Sequence, residues 1–292
     1  MTNKELYSAD YKKYVLSDLE KDACRLPAVK VGYLMRKLKR KARTFKLHPN
    51  PDDDFCNPEI GPNYGIVGDY VQHIIQQRRH TNPLLPEPVI VERLSNREYR
   101  ILNGHHRWLA MCRLGMKRVP IELVNLTHEQ EIVSAAERSD RHMCVSFDLD
   151  EVLTCDAAVC PADPPLPYPA NRFFPQSIRL NVGGLAEKLH EMGFDIWIYT
   201  AGYLSSDEIV KLLSFHGIKA DGIINGLKNK RVSSAVTNAF RQNYRYIVHP
   251  DNESVLWVET AAKAFESIGI DKTADWSAQI GEILQKKVNG LK

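Results

Sequence analysis

Apolar and polar positions change their pattern along the chain near residue 140. After that point, short apolar segments alternate with longer segments of helical periodicity. We expect strands at 143–148, 195–199, 221–224 and 244–249, and helices at 180–192, 206–215, 233–241 and about 274–288. Strands that alternate with helices predict a parallel sheet with helices on both faces. Residues 141–292 are therefore expected to form a three-layer α/β domain.

The pattern before residue 140 is less regular and predicts a mixed α+β domain. We expect a helical N-terminal region, a loop rich in proline, aspartate and asparagine at 48–63, helices at 67–77 and 105–114, and strands at 88–93, 99–102 and 119–124. A polar, helix-like stretch from Glu129 ends in Ser-Asp-Arg-His142. This stretch suggests a boundary that divides the chain into domains 1–140 and 141–292.

Composition agrees with two globular domains. The chain has 292 residues, of which 43% are hydrophobic and 26% charged. No apolar segment approaches the roughly 20 residues of a membrane span, and the first residues lack a signal-peptide pattern, so we expect a cytoplasmic protein. The six cysteines are scattered and include no Cys-x-x-Cys pair, so we expect reduced thiols and no zinc site at Cys155 and Cys160.

The small net charge of +3 conceals an uneven distribution. Residues 1–140 hold 23 Lys and Arg against 18 Asp and Glu, whereas residues 141–292 carry a net charge of −2. Eight of the cations and no acid lie in the basic segment Lys30–Lys46. Such a segment can neutralise nucleic-acid phosphates, and it is also typical of the solvated face of a helix.

The clearest chemical signal is a pair of carboxylates, Asp148 and Asp150, at the end of the strand predicted at 143–148. One can act as a nucleophile and the other as a general acid and base, with Mg²⁺ neutralising the cluster and an incoming phosphate. An Asp-x-Asp sequence in a turn can also serve only to satisfy backbone amides.

Later strand ends add a hydroxyl, lysines and another acid: Thr200, Lys228, Lys230 and Asp251. With these residues, most of 143–260 resembles the haloacid dehalogenase-like (HAD) hydrolase superfamily, and Phe147–Thr154 is similar to its first motif. The resemblance implies a Rossmann-like fold with a minimal cap, since only about 45 residues separate the first two motifs. Such an open site suits bulky substrates, or a partner domain that acts as a lid.

The HAD resemblance also implies a role for each of these residues. Asp148 would attack phosphorus, and Asp150 would protonate the leaving oxygen and then activate water. Thr200 would hydrogen-bond the phosphoryl group, and Lys228 or Lys230 would offset its charge. Mg²⁺ would be bound by Asp148, the backbone carbonyl of Asp150, and Asp251.

The fourth HAD motif is altered in this chain. The sequence is His249-Pro-Asp-Asn-Glu253, where the family usually has Asp-Asp or Gly-Asp. Asp251 can still bind a metal, and Asn252 and Glu253 are alternative ligands. A non-catalytic HAD-like scaffold therefore stays open as an alternative.

A second phosphate signal is the sequence Asn103-Gly104-His105-His106-Arg107, where a strand runs through a glycine into a helix. Free amides at a helix N-terminus attract anions, and an arginine can bind a phosphate through two hydrogen bonds. A turn followed by a polar helix start is the simpler interpretation.

Residues 83–125 around this loop resemble the ParB/sulfiredoxin-like fold, in which such a loop binds nucleotide phosphates. The doubled histidine is similar to the free serine kinase branch, where an acid occupies the position of Asn103. Glu59 or Asp69 could supply the carboxylate that is missing here.

These motifs predict a Mg²⁺-dependent phosphoryl-transfer protein. A HAD-type phosphatase would be coupled to a kinase-like domain that binds ATP or another nucleotide. The expected substrates are a phosphorylated nucleic acid end, a nucleotide or a small hydroxyl compound. The competing hypothesis is a nucleotide-sensing or nucleic-acid-binding module that uses the basic segment and a non-catalytic HAD-like scaffold.

Overall fold

The computed structural model describes residues 25–78, 87–156, 158, 160–226, 233–271 and 275–291. Contacts divide the chain into two compact units, Met1–Asn125 and Leu126–Lys292. The division lies before the boundary expected at residue 140, because helix Glu129–Glu137 packs against helix Ser234–Asn243 of the second unit.

Unit 1 contains a mixed five-stranded sheet and three helices among its described residues. In chain order these elements are α1 (Tyr33–Leu38), β1 (Lys41–Arg43), β2 (Leu47–His48), α2 (Tyr64–Arg78), β3 (Val89–Arg93), β4 (Tyr99–Asn103), α3 (His105–Arg113) and β5 (Arg118–Leu123). The strand order is β1-β5-β3-β4-β2. The sequence pattern did not predict β1 and β2, which are too short to show an alternation. Most of the expected N-terminal helical region, residues 1–24, lies outside the described residues.

The core of unit 1 forms where the sheet meets α2 and α3. Val91, Ile101 and Val119 are fully buried on β3, β4 and β5. Val67 of α2 and Met111 of α3 are fully buried in the same cluster. Burial of these side chains holds the start of α3 against the end of β4.

Unit 2 is built on a six-stranded sheet. Its elements are α4 (Glu129–Glu137), β6 (Met143–Asp148), α5 (Ala170–Phe173), α6 (Val182–Glu191), β7 (Phe194–Tyr199), α7 (Ser206–Phe215), β8 (Gly222–Ile224), α8 (Ser234–Asn243), β9 (Tyr246–Pro250), β10 (Ser254–Glu259), β11 (Ala264–Gly269) and α9 (Trp276–Asn289). The strand order is β11-β10-β9-β6-β7-β8.

The expectation of a purely parallel sheet is corrected at one edge. Strands β9, β6, β7 and β8 are parallel, whereas β10 and β11 pair antiparallel as a hairpin after β9. Because β11 is mostly exposed, its residues lack the apolar pattern that identified the central strands.

Helices cover both faces of the unit 2 sheet, as the sequence pattern predicted. Val145 and Phe147 point to one face, where they join a core with residues of α6, α7 and α9. Cys144 and Trp197 point to the other face, where α4 and α8 pack. Alternate side chains of a strand point to opposite faces, so β6 is buried on both.

The structure differs from the sequence-based expectation for the cysteines. Cys155 and Cys160 are joined by a disulfide, whereas we expected reduced thiols. Their separation of five residues carried no signal for this pairing. None of the helices in the described part of the chain is long and apolar enough to cross a membrane.

Candidate functional sites

An acidic edge forms in unit 2 where three neighbouring parallel strands end. Asp148 is the last residue of β6, Thr200 follows β7, and Asp251 follows β9. Because β7, β6 and β9 are adjacent in that order, their carboxyl ends lie along one edge of the sheet. The structure thus brings together Asp148, Asp150, Thr200 and Asp251, which the sequence placed at separate strand ends.

Backbone amides orient Asp148. Its Oδ1 accepts hydrogen bonds from the amide N–H of Asp150 at 2.7 Å and of Glu151 at 2.8 Å. Burial nevertheless raises the pKa of Asp148, and the charges of Asp150 and Asp251 raise it further. A cation that lies between these carboxylates would relieve their repulsion.

Thr200 fixes the side chain of Asp150. The Thr200 hydroxyl is fully buried and donates to Asp150 Oδ2 at 2.5 Å, while it accepts from the Gly202 amide at 2.9 Å. In this arrangement the hydroxyl proton is directed at Asp150. The HAD resemblance implies that Thr200 binds the phosphoryl group, whereas in the structure its hydroxyl holds Asp150, the predicted acid and base.

The altered fourth motif is tied to the turn after β6. Asn252 Nδ2 donates to the Glu151 carbonyl at 3.0 Å, and its Oδ1 accepts from Arg179 at 2.5 Å. The exposed Asp251 side chain accepts from the Asn252 amide at 2.7 Å. Asn252, an alternative metal ligand on sequence grounds, therefore links two loops of the acidic edge.

A cavity of about 950 Å³ opens beside this edge. Its lining includes Asp150, Thr154 and the Cys155–Cys160 disulfide. Arg179 also lines it and lies 4.8 Å above the Trp276 ring, where burial lowers the arginine pKa. Asp150 can therefore be reached from the cavity.

The described part of the chain shows no metal site that would confirm the expected Mg²⁺. Among the described residues, no group of three or more His, Cys, Asp or Glu side chains is arranged to hold an ion. The ligand set implied by the HAD resemblance differs from such a group, because it uses two carboxylates and the carbonyl of Asp150. Lys228 and Lys230, the candidate phosphate-binding lysines, lie outside the described residues.

In unit 1, Gly104 allows the tight transition from β4 to α3. Its φ is +93°, a left-handed value, and a Cβ on it would lie 2.9 Å from a terminal nitrogen of Arg107. Asn103 is the last residue of β4 and pairs with Ile90. Glycine at this position lets the Arg107 side chain fold back under the loop.

The two histidines of this loop act as hydrogen-bond acceptors. The Asn50 amide donates to His105 Nε2 at 3.2 Å, and the Asn63 amide donates to His106 Nε2 at 3.0 Å. Phe55 packs against both rings, with centroids at 5.1 and 5.2 Å. His105 and His106 therefore hold the loop 48–63 against α3, a role that the sequence alone did not indicate.

Asp53 is the carboxylate that the structure places beside the histidines. Its Oδ2 lies 3.8 Å from His105 Nδ1, and its charge partly offsets the burial that lowers the His106 pKa. Burial, with the charge of Asp53, also raises the pKa of Cys56 to about 12. Glu59, which we named as a source of the missing acid, lies on an exposed turn. The run Asp52-Asp53-Asp54 was the available signal for Asp53.

Arg107 is buried and already binds an anionic group. Its guanidinium pairs with Glu87 and donates to the Pro88 carbonyl at 2.9 Å. The Arg107 side chain is 9% exposed, whereas that of Glu87 is 72% exposed. An exposed carboxylate thus occupies the place where the sequence predicts a phosphate.

The basic segment Lys30–Lys46 is only partly available for contacts. Arg36 is 3% exposed, and it donates to the Val31 carbonyl at 2.6 Å. Its inclusion among nucleic-acid-binding cations is therefore corrected, because its charge has a structural role. Lys41 and Arg43 of β1 point outward on either side of the buried Ala42.

Residues 80–138 match the family model of the ParB N-terminal domain. This match confirms the ParB part of the resemblance for that segment. No curated protein matches the chain.

Solved structures with detectable similarity include the C-terminally truncated chromosome-partitioning protein ParB from Caulobacter crescentus. Bound to the centromeric parS site, it shows 26% identity over 35% of this chain and 49% of that chain, with a TM-score of 0.24. The structure of the same protein complexed with CTP-gamma-S shows 28% identity over 35% of this chain and 55% of that chain, with a TM-score of 0.23. This chain thus spans about half the length of these ParB structures.

A mutant of free serine kinase in complex with AMP is 13% identical over 84% of this chain and 95% of that chain, with a TM-score of 0.24. TM-scores of this size do not establish a shared overall fold. The ParB resemblance therefore rests on the family match and holds for residues 80–138.

Proposed function

We propose that unit 2 is a Mg²⁺-dependent phosphatase of the HAD type and that unit 1 binds a nucleotide. The observation that carries the first part is the acidic edge, where Asp148, Asp150 and Asp251 lie on neighbouring strand ends beside a cavity. Burial, and after it the charges of Asp150 and Asp251, raise the pKa of Asp148, so a cation at this edge would favour the charged carboxylate.

The residues of the acidic edge can carry both steps of phosphate-ester hydrolysis. The amides on Asp148 Oδ1 orient the carboxylate, so that Oδ2 attacks phosphorus as the bond to the leaving oxygen breaks. Asp150, held by Thr200, gives its proton to that oxygen. Asp150 then takes a proton from water, whose oxygen attacks the aspartyl-phosphate and releases inorganic phosphate and the Asp148 carboxylate.

Asp148, Asp251 and the carbonyl of Asp150 fit a magnesium ion chemically, since Mg²⁺ prefers oxygen ligands. When bound, the ion would neutralise the charge that opposes the approach of a phosphate to Asp148. Lys228 or Lys230 would add a further positive charge.

The nucleotide proposal for unit 1 rests on Gly104 and Arg107. Gly104 opens the first turn of α3, whose amides favour an anion, and Arg107 supplies a buried guanidinium. A phosphate would replace Glu87 on Arg107. Asp53, beside His105, is the candidate base for ATP-dependent phosphoryl transfer to a small hydroxyl compound.

The decisive experiment measures hydrolysis of an aryl phosphate by the full chain with Mg²⁺ and with a chelator. We expect Mg²⁺-dependent turnover, and a loss of at least about a hundredfold in Asp148→Asn, because removing a nucleophile removes the covalent step. Lys219→Gln, an exposed change in the same unit, serves as the control. Equal turnover by Asp148→Asn and the unmutated protein would favour the competing hypothesis of a non-catalytic scaffold.

A further inference from the structure

Five exposed cations form a basic strip along one edge of the unit 1 sheet. The strip lies on β1 and at the start of β5, and its members are Arg40, Lys41, Arg43, Lys117 and Arg118. No ion pair with another described residue neutralises any of the five. The strip therefore presents its charge to solvent.

Strand pairing concentrates the charge of the basic strip. Arg43 lies directly opposite Arg118 in the antiparallel pair, and the Thr44 amide donates to the Lys117 carbonyl at 3.2 Å. Like charges that face each other across two strands destabilise a sheet. No Asp or Glu occurs in 30–46 or 114–121. A bound polyanion would remove this repulsion.

An aromatic side chain stands among these cations. Phe45 is 68% exposed, and the Arg43 guanidinium lies 5.9 Å from the centre of its ring. The short 3₁₀ turn Thr44–Lys46 presents Phe45, and a hydrogen bond from the Thr44 hydroxyl to the Met116 carbonyl anchors this turn to the β5 side. A ligand that has both phosphate groups and flat apolar faces would match an exposed aromatic ring beside these cations.

We propose that the basic strip and Phe45 bind single-stranded nucleic acid. Phosphates would contact the cations, and a base would stack on Phe45, which is the combination that proteins use for single strands. Lysines on an edge strand can also prevent edge-to-edge pairing of sheets. That role does not explain an exposed phenylalanine, because an apolar ring does not repel a second sheet edge. Binding of single-stranded nucleic acid does not depend on the proposed function. The further idea that a nucleic acid end is the phosphatase substrate does rest on it.

Fluorescence anisotropy with the full chain and a labelled, unphosphorylated oligothymidine of about 12 nucleotides tests the proposal. We expect affinity to fall with salt, with a slope of log K against log salt of about −3.5 if all five cations contact phosphates. Removing Arg43 and Arg118 together, as Arg43→Gln with Arg118→Gln, should make the slope about 1.4 less steep. Phe45→Leu, which keeps the apolar bulk but not the ring, should weaken binding about tenfold.

Matched controls separate the basic strip from general charge and apolar effects. Lys219→Gln with Arg172→Gln removes two exposed charges from unit 2, and Phe265→Leu changes a phenylalanine that is 77% exposed. Both controls should bind as the unmutated protein does. Absence of binding, equal affinity in Phe45→Leu, equal or tighter binding of a duplex, or preference for phosphatidylserine vesicles would overturn the proposal.

The same measurement distinguishes this inference from the proposed function. Asp148→Asn should bind the oligonucleotide normally, because Asp148 lies in the other unit. If the unmutated protein binds the oligonucleotide but hydrolyses no aryl phosphate, the result contradicts the proposed function alone. Phosphatase activity without oligonucleotide binding would contradict the inference alone.

Discussion

At the scale of single residues, the acidic edge depends on which hydrogen bonds hold its carboxylates. Asp148 is fixed by two amides and Asp150 by the hydroxyl of Thr200. Amide donors stabilise the charged form of Asp148, whereas its burial and its acidic neighbours oppose it, and burial has the larger effect. Reactivity at this edge therefore depends on groups that hold the carboxylates as well as on the carboxylates themselves.

Thr200→Val should lower kcat about tenfold to a hundredfold with little change in KM. Valine has nearly the same shape but cannot donate a hydrogen bond to Asp150. Asp150, the proposed general acid and base, would therefore lose its orientation. Steady-state kinetics measures both constants. Thr200→Ser, which keeps the hydroxyl, should restore most of kcat, and an unchanged kcat in Thr200→Val would exclude the orienting role.

Glu87→Gln should increase the affinity of unit 1 for nucleotide phosphates about threefold to tenfold. The change removes the carboxylate that competes for Arg107, while it leaves the side chain close to its original size. Calorimetric titration with ATP, CTP and AMP measures the effect. Glu98→Gln is a charge-matched control away from Arg107, and an affinity unchanged by Glu87→Gln would exclude Arg107 as the phosphate ligand.

At the scale of elements, the junction between β4 and α3 is supported from outside the helix. Gly104 permits the left-handed residue at the junction, and the loop 48–63 reaches the first turn through His105 and His106. Each imidazole accepts an amide proton at Nε2, so each must be unprotonated there. The loop and the helix are thus connected by two hydrogen bonds, which protonation of the histidines would break.

The stability of unit 1 should fall as pH decreases below about 6.5, the ordinary histidine pKa. Burial lowers the pKa of His106 in the folded protein, with Asp53 opposing the effect, so the unfolded chain takes up the proton first. In His106→Gln, which keeps an acceptor without titrating, urea unfolding should show a smaller loss between about pH 7 and pH 5.

His73→Gln, an exposed substitution on α2, should retain the loss seen in the unmutated protein. An identical pH dependence in His106→Gln and the unmutated protein would show that the hydrogen bond from the Asn63 amide to His106 Nε2 does not control acid stability.

At the scale of the whole molecule, the chain contains separate hydrophobic cores. The core of unit 1 is built from residues between Val31 and Leu123, and the cores on the two faces of the unit 2 sheet from residues between Ile132 and Val288. Since no cluster combines residues of both units among the described residues, each unit buries its own apolar surface.

Heat unfolding should therefore show two transitions. Leu47→Ala in unit 1 and Leu213→Ala in unit 2 remove side chains that are 2% and 0% exposed, and each should cost about 2–5 kcal/mol. Differential scanning calorimetry should show each variant lowering one transition only. A single transition that both variants lower would mean that the two units unfold as one.

The sequence alone determined those features whose cause is local. Helical and strand periodicity located most of the central elements, because the side chains that face a core repeat at fixed intervals. Asp148, Thr200 and Asp251 could be placed together from the sequence because parallel strands end at one edge of a sheet. The Gly-His-His-Arg loop could be placed at a helix start for a similarly local reason.

Only the tertiary structure decided which partner each side chain has. It placed Asp53 beside the histidines, buried Arg36 against a carbonyl, and brought Cys155 to Cys160. It also paired β10 with β11 as an antiparallel hairpin. None of these outcomes leaves a periodic pattern, because each depends on the path of a loop or on a contact between segments far apart in the chain. The basic segment illustrates the difference, since the sequence supplied its charge and the fold decided which cations stay exposed.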